Sequence, residues 1–194
     1  EVPRLWEHQE RAIDYVSEHW RNGHPGVLLD CAMRSGKTRI TWELIEAHDL
    51  HKVLIVCPLS VVPVWAEESR KWDGIPSETL DSGSVDQKTV RAAHALWAIK
   101  AAVVVNYESA FRGNLAGLLL AQKWDLVVYD EAHRLKQPGG HWSRFAARLR
   151  DRSRFRLALT GTPLPHSPLD AYATYRFLDP RVFGNSNTAF KNRY

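Results

Sequence analysis

The chain alternates short, continuously apolar runs with longer stretches in which apolar residues recur every three or four positions. The apolar runs fall at 26–30, 53–57, 102–106, 126–130 and 155–160, each of strand length. A run without polar alternation marks a strand covered on both faces. The periodic stretches fall at 8–20, 38–47, 63–72, 85–99, 142–149 and 169–178. In the first, Ala12, Ile13, Val16 and Trp20 share a helical face; in the fourth, Val90, Ala93, Leu96 and Trp97 do. Strands alternating with helices predict an α/β fold, with a mostly parallel sheet and helices on both faces. The glycine-rich stretches 139–140 and 184–187 read as loops. In such sheets ligands sit beyond the carboxyl ends of the strands, so chemistry is expected in the residues immediately after each strand.

Composition narrows this picture. A length of 194 residues suits one domain over 1–194, and 44% hydrophobic with 25% charged residues is that of a globular chain. Disorder, collagen-like sequence and a disulfide scaffold are excluded. Lys plus Arg less Asp plus Glu, 26 − 22, gives +4, which permits an anionic partner without demanding one. The two cysteines, Cys31 and Cys57, lie in or beside apolar runs and point to a reducing, intracellular home. A bacterial or phage cytoplasm is favoured over a nucleus. No apolar stretch approaches the ~20 residues of a membrane helix. Residues 1–4 carry no signal-peptide pattern, and Glu1 in place of Met suggests a piece of a longer protein. Trp20, Trp42, Trp65, Trp72 and Trp97 fall in the periodic stretches and are expected to pack inward. Trp6 is a candidate for lining a base pocket. Arginines at 144, 148, 150, 152, 154 and 156 read as a solvated helix end, with a nucleic-acid or partner contact as the alternative.

The first strand runs into Cys31, Ala32, Met33, Arg34, Ser35, Gly36, Lys37 and Thr38, and then a helix. The last three residues are the Gly-Lys-Thr of a phosphate-binding loop, although Cys31 stands where the strict pattern has glycine. Gly36 allows backbone to approach phosphate, and N–H groups at the helix start supply donors and positive dipole. Lys37 would reach the β- and γ-phosphates and the Thr38 hydroxyl would ligate Mg²⁺. The fourth apolar run ends in Asp130 and Glu131, followed by Ala132 and His133. Asp130 at the sheet edge would hold Mg²⁺, Glu131 would orient and deprotonate an attacking water, and His133 would sense the site.

These segments, with Leu159-Thr160-Gly161-Thr162-Pro163, stand in the order of motifs I, II and III of superfamily-two helicases. Residues 53–65, containing Pro58, Leu59, Ser60 and Trp65 and leading to Lys71-Trp72, resemble motif Ia of the Swi/Snf-type DNA translocases. Asp130 to Lys136 is similar to their extended motif II, and 160–164 with 175–184 to their motif III region. His8-Gln9 and Val105-Asn106-Tyr107-Glu108 resemble the Q-motif and motif Ib. The resemblance covers nearly the whole chain.

It implies one RecA-like lobe of an ATP-driven motor on double-stranded DNA. Gln9 would read the adenine, with Arg34, Ser35, Gly36, Lys37, Thr38 and His133 around ATP, and Lys37, Asp130 and Glu131 catalytic. Pro58, Leu59, Ser60, Asn106, Tyr107, Thr160, Gly161 and Thr162 would meet DNA or link it to the nucleotide. Family members carry a second RecA-like lobe with arginine fingers. No such lobe follows Pro180 here, so this chain alone is expected to bind ATP weakly and hydrolyse it near background. Two rival readings are a lobe of a restriction-type helicase and a docking module with an inactive nucleotide site.

Overall fold

The computed structural model describes residues 3–32, 34–161 and 168–193. In chain order the elements are α1 (Glu7–Arg21), β1 (Gly26–Asp30), α2 (Lys37–Ala47), β2 (Lys52–Cys57), α3 (Val62–Lys71), β3 (Ser77–Leu80), α4 (Val85–Ala95) and β4 (Ala101–Asn106). There follow α5 (Tyr107–Ala110), α6 (Gly113–Ala121), β5 (Trp124–Tyr129), α7 (His141–Arg150), β6 (Ser153–Thr160), α8 (Pro168–Leu178), α9 (Pro180–Phe183) and α10 (Asn187–Arg193).

Six strands form one sheet in the order β1-β6-β5-β2-β4-β3, every neighbouring pair parallel. The single α/β lobe with helices on both faces is therefore as the pattern predicts. Each strand sends alternate side chains to opposite faces. Val53, Ile55 and Cys57 of β2 meet α1, α2 and α3 through Val16, Trp20, Ile40, Trp42 and Trp65. Leu54 and Val56 of the same strand meet α4, α6, α7 and α8 through Ala92, Leu119, Phe145 and Phe177. From β1 to β3 the chain crosses the sheet one way, and from β3 to β6 it returns. Right-handed crossovers then require helices on opposite faces for the two directions.

Three elements differ from the pattern. Ser77–Leu80 is a strand although three of its four residues are polar, because it is the short edge strand paired only with β4. The helix α6, which buries Leu115 and Leu119 one turn apart, falls in none of the periodic stretches. The periodic stretch 85–99 stops being helical after Ala95. Lys52 Nζ donates to the carbonyls of Leu96 and Ala98, fixing that turn. Trp97 consequently leaves the core and is 89% exposed, contrary to its expected packing.

The arginine-rich stretch also splits. Arg156 is buried on β6, where its guanidinium donates to the carbonyls of Leu178 (2.7 Å), Arg150 and Ser153. Burial lowers its pKa to about 10. At Gly26 a Cβ would collide with the same Leu178 carbonyl, so glycine there lets α8 close on β1. Among the described residues no helix is long and apolar enough to cross a membrane.

Candidate functional site

The phosphate loop leaves β1 still tied to the sheet, with Cys31 N donating to Thr160 O at 3.1 Å. Gly36 caps α2 at φ +81°, in the left-handed region that disfavours any side chain. A Cβ there would also collide with Gln9 Nε2. Gln9 is buried, and its amide joins two segments: Oε1 accepts from Trp6 N (3.0 Å) and Nε2 donates to Ser35 O (3.2 Å). His8 Nε2 lies 2.9 Å from the same carbonyl. The start of α1 is thus a support for the loop. Lys37 Nζ donates to Cys31 O (3.1 Å) and Ala32 O (3.3 Å), lying across the loop.

Two features make this loop fit a phosphate group. The first turn of α2 holds no acidic residue and its cap supplies no side-chain acceptor, leaving its N–H dipoles uncompensated. Ser35 Oγ is buried without a hydrogen bond of normal geometry, with the Cys31 thiol as a near neighbour. Arg34 is exposed, at φ +64°.

The acidic turn lies at the end of β5, with β6 between it and β1. Asp130 N continues the ladder to Val56 O at 2.8 Å. The carboxylate is buried and held at both oxygens: Trp65 Nε1 donates to Oδ2 (3.2 Å) and Glu131 N to Oδ1 (2.9 Å). Burial pushes its pKa up, and the neighbouring Glu131 charge adds to this. The Trp65 N–H, the Glu131 N–H and the Lys37 charge partly offset it. Glu131 sits at φ +52°, strained for a residue with a Cβ. The strain is sustained by Tyr107, whose hydroxyl donates to Asp130 O (2.7 Å) and Glu131 O (3.3 Å). His133 Nδ1 stands 3.3 Å from Glu131 Oε2. Among the described residues no group of three or more His, Cys, Asp or Glu could hold a metal unaided.

A cavity of about 300 Å³ opens beside Gly36 and Gln9, walled by Trp6, Arg34, Arg39 and Trp72. Two cations stand over the Trp72 ring, Arg39 Cζ at 3.8 Å and Lys71 Nζ at 4.4 Å from its centroid, and its Nε1 donates to Glu68. Trp6, the candidate for lining a base pocket, lines this cavity; Trp72, expected to pack inward, also lines it, and Arg39 joins it without having been singled out. A signal for them is present in the chain: Trp72 ends the Trp65-to-Trp72 segment and Arg39 stands two residues after Lys37.

The residues expected on the DNA side divide in two. Leu59 and Ser60 are exposed on a 3-10 turn after β2, with Pro58 half-buried before it. Gly161 is half-buried at the end of β6, and Thr160 is buried beside it. Asn106 and Tyr107, also expected to meet the DNA backbone, are buried. Asn106 Nδ2 donates to Glu108 Oε2 (2.7 Å), and the Tyr107 phenol faces the acidic turn. Thr162 lies outside the described residues.

Comparison with known proteins agrees with this geometry. The probable global transactivator of Orgyia pseudotsugata multicapsid polyhedrosis virus is 36% identical over 95% of this chain and 37% of its own length. A probable ATP-dependent DNA helicase of Arabidopsis thaliana is 30% identical over 93% of this chain and 17% of its own. The Sulfolobus solfataricus SWI2/SNF2 ATPase core, solved in complex with dsDNA, superposes with a TM-score of 0.84. It is 26% identical, over all of this chain and 39% of that one. The chain thus spans well under half the length of these relatives. A family model described as the SNF2-related domain matches residues 8–194, and the chain belongs to that family.

Proposed function

We propose that this chain is the ATP-binding lobe of a DNA-dependent ATPase that moves along duplex DNA, the rest of the motor lying in the parent protein. One observation carries the reading. A glycine-hinged phosphate loop with Lys37 stands on one sheet edge with a pre-positioned pair, the buried Asp130 and the half-buried Glu131.

On binding, Lys37 exchanges the carbonyls of Cys31 and Ala32 for the β- and γ-phosphates. The α2 N–H groups and Ser35 donate to phosphate oxygens, and Arg34 adds positive charge at the rim. Thr38 and Asp130 would hold Mg²⁺, Asp130 being a buried carboxylate within reach of the Lys37 charge. When bound, Mg²⁺ neutralises charge developing on the transferred phosphoryl group. Glu131 orients the attacking water and takes its proton, with His133 beside its carboxylate. Gln9 keeps one lone pair and one amide hydrogen for the adenine edge, after its bonds to Trp6 and Ser35. The base occupies the cavity between Trp6 and Trp72.

The exposed Leu59-Ser60 turn and Gly161 meet the DNA backbone, while Asn106 and Tyr107 support that edge from within. The duplex partner is supported by the DNA-bound state of the Sulfolobus relative. A second RecA-like lobe of the parent protein supplies the arginine finger, worth ~10³–10⁵ in rate.

The test is binding of a fluorescent ATP analogue with Mg²⁺ to the wild type and to Lys37→Ala. Binding that Lys37→Ala loses is expected; equal binding by both would leave a docking module instead. Robust DNA-stimulated turnover by this chain alone would overturn the need for a second lobe.

A further inference from the structure

The arginine-rich stretch leaves three members, Arg144, Arg148 and Arg152, exposed without a side-chain partner among the described residues, and the first two lie on one helix. Arg150 and Arg156 turn inward to carbonyl groups, but Arg144 and Arg148 point outward from α7. Among the described residues neither makes an ion pair or a side-chain hydrogen bond. They stand four residues apart on one helix face, about 6 Å along its axis. With Phe111, His141 and Phe145 they wall a groove of about 290 Å³. Its upper wall is a stacked pair: the Phe111 and His141 rings have centroids 5.5 Å apart and planes 9° apart. Phe111 is partly exposed and His141 exposed. Phe111 and the exposed Arg112 directly follow α5 in the chain.

We propose that this groove is a second nucleic-acid contact, which takes an unpaired stretch of strand. The base stacks on the Phe111–His141 pair, and flanking phosphates lie between Arg144 and Arg148. Paired cations alone would serve a duplex backbone equally well. The aromatic pair decides the class, because bases inside a duplex are already stacked on each other and only an unpaired base has a free face. No base-edge reader lines the groove apart from arginine and histidine, so the contact tolerates any sequence. The proposal rests on the reading of this chain as a nucleic-acid-binding lobe.

Fluorescence anisotropy of this chain, free of nucleotide, with a labelled oligothymidylate and a labelled blunt duplex tests it. Arg144→Gln/Arg148→Gln should weaken oligothymidylate binding about tenfold or more. It should also lower the salt slope by about 1.4, at ~0.7 per phosphate contact on a single strand. His141→Ala, at an exposed position that leaves the fold intact, should cost a further several-fold by removing half the platform. Duplex binding should change far less. Unchanged oligothymidylate binding and slope in the double variant would overturn the proposal while duplex binding still upheld the lobe reading. Equal losses on both probes would make the groove a duplex contact and overturn it too. Binding of neither probe by the wild type would defeat the groove and the DNA reading together.

Discussion

The phosphate loop and the acidic turn share one sheet edge, with β6 between them, and they are held in opposite ways. Around the loop the working groups are backbone: the Gly36 hinge, the α2 N–H dipoles, and carbonyls on which Lys37 rests. At the turn the working group is a side chain, and other side chains hold it: Trp65 from α3 grips Asp130 Oδ2, and Tyr107 from α5 grips the backbone on either side of Glu131. On the proposed reading the loop must reorganise, because Lys37 would leave its carbonyls to touch phosphate. The turn is already arranged, and the fold bears the cost of a buried carboxylate and a left-handed glutamate to keep it so. Damage to the loop should therefore register in ligand affinity, and damage to the turn in stability.

The largest effect is expected at the hinge. Gly36→Val would force a β-branched residue to φ +81° and drive a Cβ into Gln9 Nε2. A left-handed side chain costs about 1–2 kcal/mol, and displacing Gln9 loses two hydrogen bonds of about 1 kcal/mol each. If the loop keeps its shape when loaded, nucleotide affinity falls by more than a hundredfold. Titration with a fluorescent ATP analogue checks this; an affinity within threefold of wild type would show that the loop does not need the hinge.

Trp65→Phe attacks the other side of the comparison. It leaves Asp130 Oδ2 buried without its donor, at a cost of about 2 kcal/mol in unfolding free energy. Urea denaturation should show it. Nucleotide binding measured in EDTA should stay near wild type, while the Mg²⁺-dependent gain shrinks. A loss confined to EDTA conditions would mean that Trp65 serves the loop through its edge contact with Trp42 of α2 rather than the turn. Tyr107→Phe should cost less, about 1 kcal/mol, since it removes one hydroxyl whose carbonyl partners sit near backbone able to adjust. Faster amide exchange at Glu131 and Ala132 is the expected sign, and unchanged exchange would free Tyr107 of the supporting role.

The same contrast explains what could be read from the sequence. The loop and the turn are contiguous in the chain, so Gly36-Lys37-Thr38 and Asp130-Glu131 were legible as strings. Five of the six strands were legible because each is a buried apolar run; Ser77–Leu80 was not, because an edge strand has one partner and a polar composition. The supports were illegible because distant packing makes them. Trp65 reads as a core residue, and it is one, yet its indole N–H alone reaches Asp130 across 65 positions. Trp72 reads the same way, and only the approach of Arg39 from α2 makes it a cavity wall. Tyr107 reads as a DNA-backbone contact because its string resembles a DNA-contacting motif, and its support of the acidic turn shows only once the short helix it begins buries the ring. Trp97 misleads for a simpler reason: helical periodicity continues in the letters after the helix has ended.

The smallest effect tests how firmly α1, which carries Gln9, is tied to α2. His48 follows α2 and its Nε2 lies 2.8 Å from Ser17 Oγ of α1, with the Trp20 ring edge-on at 5.1 Å. Burial lowers its pKa below 6.5, and the nearby charges of Arg154 and Arg21 lower it further. The unfolded chain therefore binds this proton more readily than the folded one. Stability from this group is complete above about pH 6.5 and declines as pH falls from there towards the folded pKa, after which the loss is constant. His48→Gln removes the titration and keeps a polar partner for Ser17. The melting temperature of the wild type should fall relative to that of His48→Gln between pH 7 and pH 5, and nucleotide affinity at pH 7 should be the same in both. A difference in melting temperature that stays constant across that range would show that the α1–α2 tie does not sense the proton. Lost affinity at pH 7 would show instead that the tie reaches the loop through Gln9, and that the loop is held by more than its own backbone.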